Sequence, residues 1–229
     1  MDGTTAVVTG ASRGIGASVA RLFGAEGARV VACARTLDEV TTVAESIRNE
    51  GGTATALRAD VRDEYDLERL AETAASGGLV DVVVANAAVN HGTPGDAPLP
   101  DETYAVFDDT LRTNVRGVFA TVRELGPHLA ADARVLVPSG SVARAGKPGM
   151  GAYAVSKAGA EALVRGFAAD LDATVATVDP GLVATDLSGG TGRDPEDVAP
   201  MFRWAATEAD ADEIDGSVVD LKTWKRATR

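Results

Sequence analysis

The chain has 229 residues, with 45% hydrophobic and only 4% aromatic side chains, and a formal net charge of −12. That length suits one α/β domain spanning the whole chain, with a core built from Ala, Val and Leu. The charge argues against nucleic acid or anionic membrane as partners, and no apolar run approaches the roughly 18 residues of a membrane span.

The start, Met1-Asp2-Gly3-Thr4, lacks the basic segment of a targeting signal, so a soluble, cytoplasmic protein is expected. The single cysteine, Cys33, lies in the apolar run Val30-Val31-Ala32-Cys33-Ala34. It allows no intrachain disulfide and reads as a buried small hydrophobe. Four lysines (147, 157, 222 and 225) stand against 18 arginines, and carboxylates are scattered along the helix surfaces. This balance resembles that of halophilic proteins, the alternative being an ordinary acidic protein from a GC-rich genome.

Thr5 to Thr9 is a short β-branched run. Gly14 to Glu26 has helical spacing, with Ile15, Val19, Leu22 and Phe23 on one stripe. Arg29 to Cys33 reads as a second strand, and Asp38 to Glu50 as a helix stopped by Gly51-Gly52. Ala54 to Ala59 is a third strand and Tyr65 to Ser76 a helix closed by Gly77-Gly78. Val80 to Ala85 is continuously apolar, as a strand buried on both faces would be. Residues 104 to 130 read as one long helical stretch, Arg134 to Val137 as strand five and Tyr153 to Leu171 as a helix. Thr174 to Val178 is strand six, Pro195 to Ala206 a helix, and Ser217 to Leu221 a last strand. Repeated βα units with buried strands predict a doubly wound parallel α/β sheet of about seven strands.

The first strand runs into Gly10-x-x-x-Gly14-x-Gly16 and then a helix. Glycine suits such a turn because backbone must pass close to a pyrophosphate, which the free N–H groups of the helix N-terminus then face. Arg13 lies inside that loop, and Arg35 follows the second strand, where a carboxylate would bind the ribose of NAD. Two guanidinium groups suit a 2′-phosphate instead, so NADP(H) is preferred, with NAD(H) possible. Further along, Tyr153 and Lys157 stand four residues apart and share a helix face. A lysine beside a phenol favours its ionised form, so Tyr153 is expected to titrate closer to neutrality and to serve as acid or base. His91 and His128 have no companions for metal binding, and no metal is expected. Trp204 and Trp224 read as packing anchors.

Taken together these motifs resemble the single-domain short-chain dehydrogenase/reductase family, over Thr4 to about Leu221, and within it the 3-oxoacyl-carrier reductases. The resemblance implies a Rossmann-type fold and reversible hydride transfer between a nicotinamide and a carbonyl or alcohol carbon. It assigns Ser12, Arg13, Ile15 and the three loop glycines to the cofactor. Asp60 and Val61 would hold the adenine, and Asn86 and Ala87 would pack beside the dinucleotide. Pro180 and Gly181, the Pro-Gly segment after strand six, would also bind the cofactor, and Thr185 and the backbone near Val183 would orient the carboxamide. Tyr153 would donate the proton, and Lys157 would bind the nicotinamide ribose. Asn114 would hold a water on the proton path. The catalytic serine is assigned to Ser141, followed by Val142-Ala143 as in the family, with Ser139 the alternative. The family pairs through the helices at 104–130 and 153–171, implying a homodimer or homotetramer.

The resemblance implies a small carbonyl or alcohol compound as substrate. A 3-oxoacyl thioester, a simple ketone, an aldehyde and a sugar alcohol all remain open. Only about eight residues separate Asp186 from the Pro195 helix, so the lid over the pocket is expected to be short. A catalytically silent NADP-binding redox sensor is the reading from another class.

Overall fold

The computed structural model describes residues 1–229. The strands are β1 (Thr5–Thr9), β2 (Arg29–Ala34), β3 (Thr53–Arg58), β4 (Val80–Val84), β5 (Leu129–Pro138), β6 (Thr174–Asp179) and β7 (Val218–Asp220). They form a seven-stranded sheet in the order β3-β2-β1-β4-β5-β6-β7. Every neighbouring pair is parallel. The order reverses between β1 and β4, and in such sheets the carboxyl ends of the strands open a crevice at the reversal.

The helices are α1 (Gly14–Ala25), α2 (Leu37–Asn49), α3 (Glu64–Ala75), α4 (Tyr104–Leu111), α5 (Gly117–Leu125), α6 (Gly151–Asp170), α7 (Pro195–Thr207), α8 (Ala211–Ile214) and α9 (Leu221–Ala227). One apolar layer joins one face of the sheet to α1, α2 and α7, with Phe23 and Phe202 fully buried in it. The other joins the opposite face to α3, α5 and α6. Side chains from β1 alternate between the layers, Ala6 and Val8 in one and Val7 in the other, as a strand covered on both faces requires. Complete burial of Leu67 and Leu70 on α3 contributes about 1.5–3 kcal/mol each. The start of α3 is set by Asp63, whose carboxylate accepts from the amides of Tyr65 at 3.0 Å and Asp66 at 3.3 Å.

Trp204 is buried in the first layer and Trp224 packs against it, as packing anchors do. Cys33 is fully buried at the end of β2, and burial pushes its thiol up to about 12. No helix is long and apolar enough to cross a membrane.

Three stretches depart from the pattern read in the sequence. Residues 104–130 are not one helix, because a π turn at Arg112–Arg116 separates α4 from α5, and a short 3-10 turn follows at Gly126–His128. Strand β5 then begins at Leu129, five residues before Arg134, and its pairing with β4 shifts register between Val80 and Val82. At the C-terminus β7 is short, and the chain turns into α9, where the Asp220 carboxylate accepts from Thr223 N at 2.7 Å.

Candidate active site

A cleft of about 310 Å³ opens at the carboxyl ends of the strands. Of the residues assigned to the dinucleotide, Gly10, Ser12, Arg13, Gly14, Ile15, Arg35, Asp60, Val61, Asn86, Ala87 and Thr185 line it. Gly10 and Gly14 adopt φ of +64° and +57°, the left-handed region that glycine enters without strain. A Cβ on Gly10 would lie 2.7 Å from Ala87 Cα, so the loop passes hard against the segment after β4. Gly16 is buried instead, and a Cβ there would meet Gly10 O at 2.4 Å, so this glycine serves helix–strand packing. No side chain caps the N-terminus of α1, which leaves its first N–H groups for an anion.

The Asn86 side chain closes the reversal point by donating to Thr9 O at 3.0 Å and Gly10 O at 3.1 Å. The Thr9 hydroxyl accepts from the amides of Asn86 and Ala87 at 3.0 and 3.1 Å.

The two arginines differ in what they face. Arg35 has no carboxylate within ion-pair distance and is free for an anion. Arg13 reaches Glu39 at 3.3 Å and Asp186 at 2.7 Å. Asp60 is held by Arg62, whose Nη2 lies 2.7 Å from its carboxylate and which pulls the carboxyl below its usual range. Arg62 also binds Asp109 at 2.6 Å, and Asp109 meets His91 at 2.8 Å, so His91 belongs to a surface ion network.

Thr36, Glu39, Thr113, Asp186 and Leu187 also line the cleft and escaped the sequence reading. Thr113 is buried, and its hydroxyl has no hydrogen-bond partner. An orphaned buried hydroxyl beside Asp60 and Val61 fits an adenosine group with nitrogen and oxygen partners to offer. Free helix amides, an unpaired guanidinium and this hydroxyl together suit a dinucleotide.

Tyr153, Lys157, Asn114, Ser141, Pro180, Gly181 and Val183 lie outside that cleft, on the elements flanking it. Lys157 is buried, with Nζ 5.6 Å from the centre of the Tyr153 ring and donating to Pro138 O at 2.9 Å. Burial pushes the ammonium down to about 8, with Glu161 pulling it back up. Burial pushes the phenol up to about 12, and the Asp179 carboxylate adds to the rise. The expected lowering of the Tyr153 pKa is therefore overturned. Both side chains are desolvated, which disfavours the charged form of each, and the ammonium is spent on a backbone carbonyl and on the ring face.

Asn114 is tied to two other segments through its side chain. Its amide donates to Val89 O at 2.8 Å and to Ser156 Oγ at 2.9 Å, while its carbonyl accepts from Val89 N at 2.8 Å. Both amide protons are used, so a water can reach this side chain only at Oδ1. Ser156 passes the link on by donating to Tyr153 O at 2.7 Å, which ties the π turn to the helix turn that carries the phenol.

The two candidate serines separate clearly. Ser139 is buried, and its hydroxyl donates to Glu161 at 2.7 Å. Ser141 is exposed on a 3-10 turn and accepts from Lys147 Nζ at 3.0 Å. Ser141 is thus the hydroxyl available to a ligand. Nearby, Arg144 bonds both Glu161 and Asp179.

Gly181 takes φ of +72° after Pro180, and its amide donates to Asp179 at 3.0 Å. The short lid folds back on itself, with Ala184 N donating to Arg193 O at 2.7 Å and Arg193 N to Leu182 O at 2.9 Å. Asn90 fastens it to the segment after β4 by donating to Leu187 O at 3.2 Å.

A crevice at the strand reversal that suits a dinucleotide, flanked by a half-buried tyrosine on a buried lysine, defines a nucleotide-dependent oxidoreductase acting on carbonyl or alcohol groups. The chain belongs to the short chain dehydrogenase family, whose sequence pattern matches residues 4–196. It is 37% identical over 193 residues to Versicolorin reductase 1 of Aspergillus parasiticus, covering 82% of this chain and 72% of that protein. It is 35% identical over 193 residues to a probable tetrahydroxynaphthalene reductase of Zymoseptoria tritici, covering 82% of this chain and 71% of the other. Among solved structures it resembles a 7α-hydroxysteroid dehydrogenase complexed with NADH and 7-oxo glycochenodeoxycholic acid. That match has a TM-score of 0.86 at 28% identity, over 97% of this chain and 94% of the other. A short chain dehydrogenase from Burkholderia cenocepacia in complex with NADP matches with a TM-score of 0.86 at 28% identity, over 97% of each chain.

Proposed function

We propose that this protein is an NADPH-dependent reductase of a compact cyclic ketone. The observation that carries the reading is the half-buried Tyr153 phenol packed against the buried Lys157. A phenol held above its usual range stays protonated at neutral pH and is the donor form that carbonyl reduction needs. The relatives named for versicolorin and tetrahydroxynaphthalene support a ring substrate, since the second name denotes a bicyclic polyphenol, which presents a ring carbonyl in its keto tautomer. The short lid, folded onto itself, favours a substrate of that size over a long chain. A 3-oxoacyl thioester is the competing substrate.

A nicotinamide held in the cleft would supply the hydride that reduces the carbonyl carbon. Tyr153 gives its phenolic proton to the carbonyl oxygen, and the Ser141 hydroxyl holds that oxygen while negative charge develops on it. The Lys157 ammonium stabilises the phenolate left behind, a role it loses as pH rises through about 8. Asn114 holds the turn that carries Tyr153 in place through Ser156. Arg35, which has no carboxylate partner, binds the 2′-phosphate and sets the preference for NADPH over NADH, while Arg13 is held by Glu39 and Asp186 and joins it only by leaving them.

One domain comprises the whole chain in this reading, and two copies pair through α5 and α6. There Phe119 stacks on Phe167 with ring centres 6.0 Å apart, and Phe119 and Val155 are exposed. A cytoplasmic setting suits the lone buried thiol.

The test is consumption of NADPH, beside NADH, with 2-tetralone, 3-oxoacyl thioesters, aldehydes and sugars. The expected result is turnover with NADPH on the ring ketone and its loss in Tyr153→Phe. Full turnover by Tyr153→Phe sinks the assignment of the donor. NADPH binding without turnover on any compound favours the redox sensor.

A further inference from the structure

Behind the Tyr153–Lys157 pair lies a cluster of charges that the mechanism above does not use. Glu161 sits one helical turn beyond Lys157 on α6, and Asp179 ends β6. Their side chains are only 5% and 7% exposed, and Arg144 reaches both. Ser139 at the end of β5 donates to Glu161 at 2.7 Å, and Gly181 N donates to Asp179 at 3.0 Å. One guanidinium thereby joins the ends of two strands to the helix that carries the phenol and the ammonium.

We propose that Arg144 is a positioning residue of the proton-transfer site, neutralising the two buried carboxylates that stand behind Tyr153 and Lys157 and so setting the charge those side chains feel. The proposal rests on reading Tyr153 and Lys157 as the proton-transfer pair.

The argument is one of charge balance. Lys157 and Arg144 offset Glu161 and Asp179, and without Arg144 one buried negative charge is left over. A negative excess of that kind attracts the ammonium and repels the phenolate, so it favours the protonated form of each. The other charged groups on the packed elements are engaged elsewhere. Glu102 accepts from Ala152 N at 3.0 Å at the start of α6, and Lys147 is bonded to Ser141. Asp109 of α4 is held by Arg62 and His91, and Arg116 of the π turn by Glu64. Arg112 lines a surface groove with Leu163. The groups that act on the pair are Asp179 on Tyr153 and Glu161 on Lys157. Both are carboxylates that Arg144 clamps.

With only four lysines in the chain, 13Cε-lysine labelling lets Lys157 be titrated by NMR without any substrate. The full-length protein is compared with Arg144→Gln, Glu161→Gln, the double variant and Arg144→Lys. Arg144→Gln should move the Lys157 midpoint up by about one pH unit, and Glu161→Gln should move it down by a similar amount. The double variant should return it close to the parent value, and Arg144→Lys, which keeps the charge, should leave it there. The falling limb of the pH–rate profile for NADPH-dependent reduction of 2-tetralone should follow the same order. A merely structural part for Arg144 would not give opposite shifts from the two single variants. Shifts of the same sign, or a double variant further from the parent than Arg144→Gln, overturn the proposal. If the NMR order holds while no variant turns over any ketone, the charge clamp stands and the functional reading fails.

Discussion

Replacing Lys157 with methionine should make the protein more stable while abolishing turnover. The lysine is buried and its ammonium is pushed from the usual 10.5 down to about 8. Keeping it charged at neutral pH therefore costs about 3 kcal/mol, from roughly 1.36 kcal/mol per pH unit. Methionine follows the same path through the core without charge. It loses the charge-assisted bond to Pro138 O, worth about 2 kcal/mol, which leaves a net gain of about 1 kcal/mol. For a chain of this size that is a rise of roughly 2–4 °C in Tm.

The sign has a pH signature. Between about 8 and 10.5 the unfolded chain holds the Lys157 proton and the folded one does not, so the parent gains stability as pH rises across that window. The gap to Lys157→Met should close accordingly. Cys33 and Tyr153, both pushed up to about 12, work in the opposite direction at higher pH, but they do so in both proteins. Urea unfolding of the two at neutral pH and again near the top of the window measures the gap. A variant that is less stable at neutral pH, or a gap that does not change with pH, refutes the reasoning.

Loss of the unpaired cation in Arg35→Ala should raise KM for NADPH by about 10- to 100-fold, the worth of a charge-assisted bond, and leave KM for NADH nearly unchanged. Steady-state kinetics with both cofactors decides this. Thr113→Val removes the orphaned hydroxyl, so the free protein should gain about 1 kcal/mol while NADPH binding weakens by roughly 2- to 10-fold. Calorimetry of binding and unfolding reads both signs. With a net charge of −12, the protein should unfold at rising temperature as salt is raised toward molar levels, because screening relieves self-repulsion. A Tm that falls with salt would remove the case for salt adaptation.

The glycine loop, the alternating units and the Tyr–Lys spacing were legible because each is written locally. Gly10 and Gly14 take the backbone that their turn demands, and the apolar run at β4 is buried on both faces as such a run must be. The break in the long helix was not legible. The spacing of apolar residues runs through 112–116 uninterrupted, and the π turn there carries an asparagine bonded to Val89 and Ser156, 25 and 42 residues away. The same distance problem hid the Arg144 clamp, whose partners lie 17 and 35 residues further along. The direction of the Tyr153 shift is not written in the sequence, which shows a neighbouring lysine but not how far both groups are withdrawn from water. The start of α9 was readable in principle. Asp220 caps an amide three residues on, a short-range signal that lies inside the apolar run expected as the last strand.

Cys33 gives this molecule a built-in clock for global opening. It is the only thiol in the chain, and it sits with no exposed surface at the end of β2, between β1 and β3. Its reactive thiolate is suppressed while the sheet is closed. Fraying of the termini or movement of the lid does not uncover it. The rate at which a thiol reagent labels Cys33 therefore counts whole-sheet openings, and cofactor binding should slow that labelling in proportion to the stability it adds.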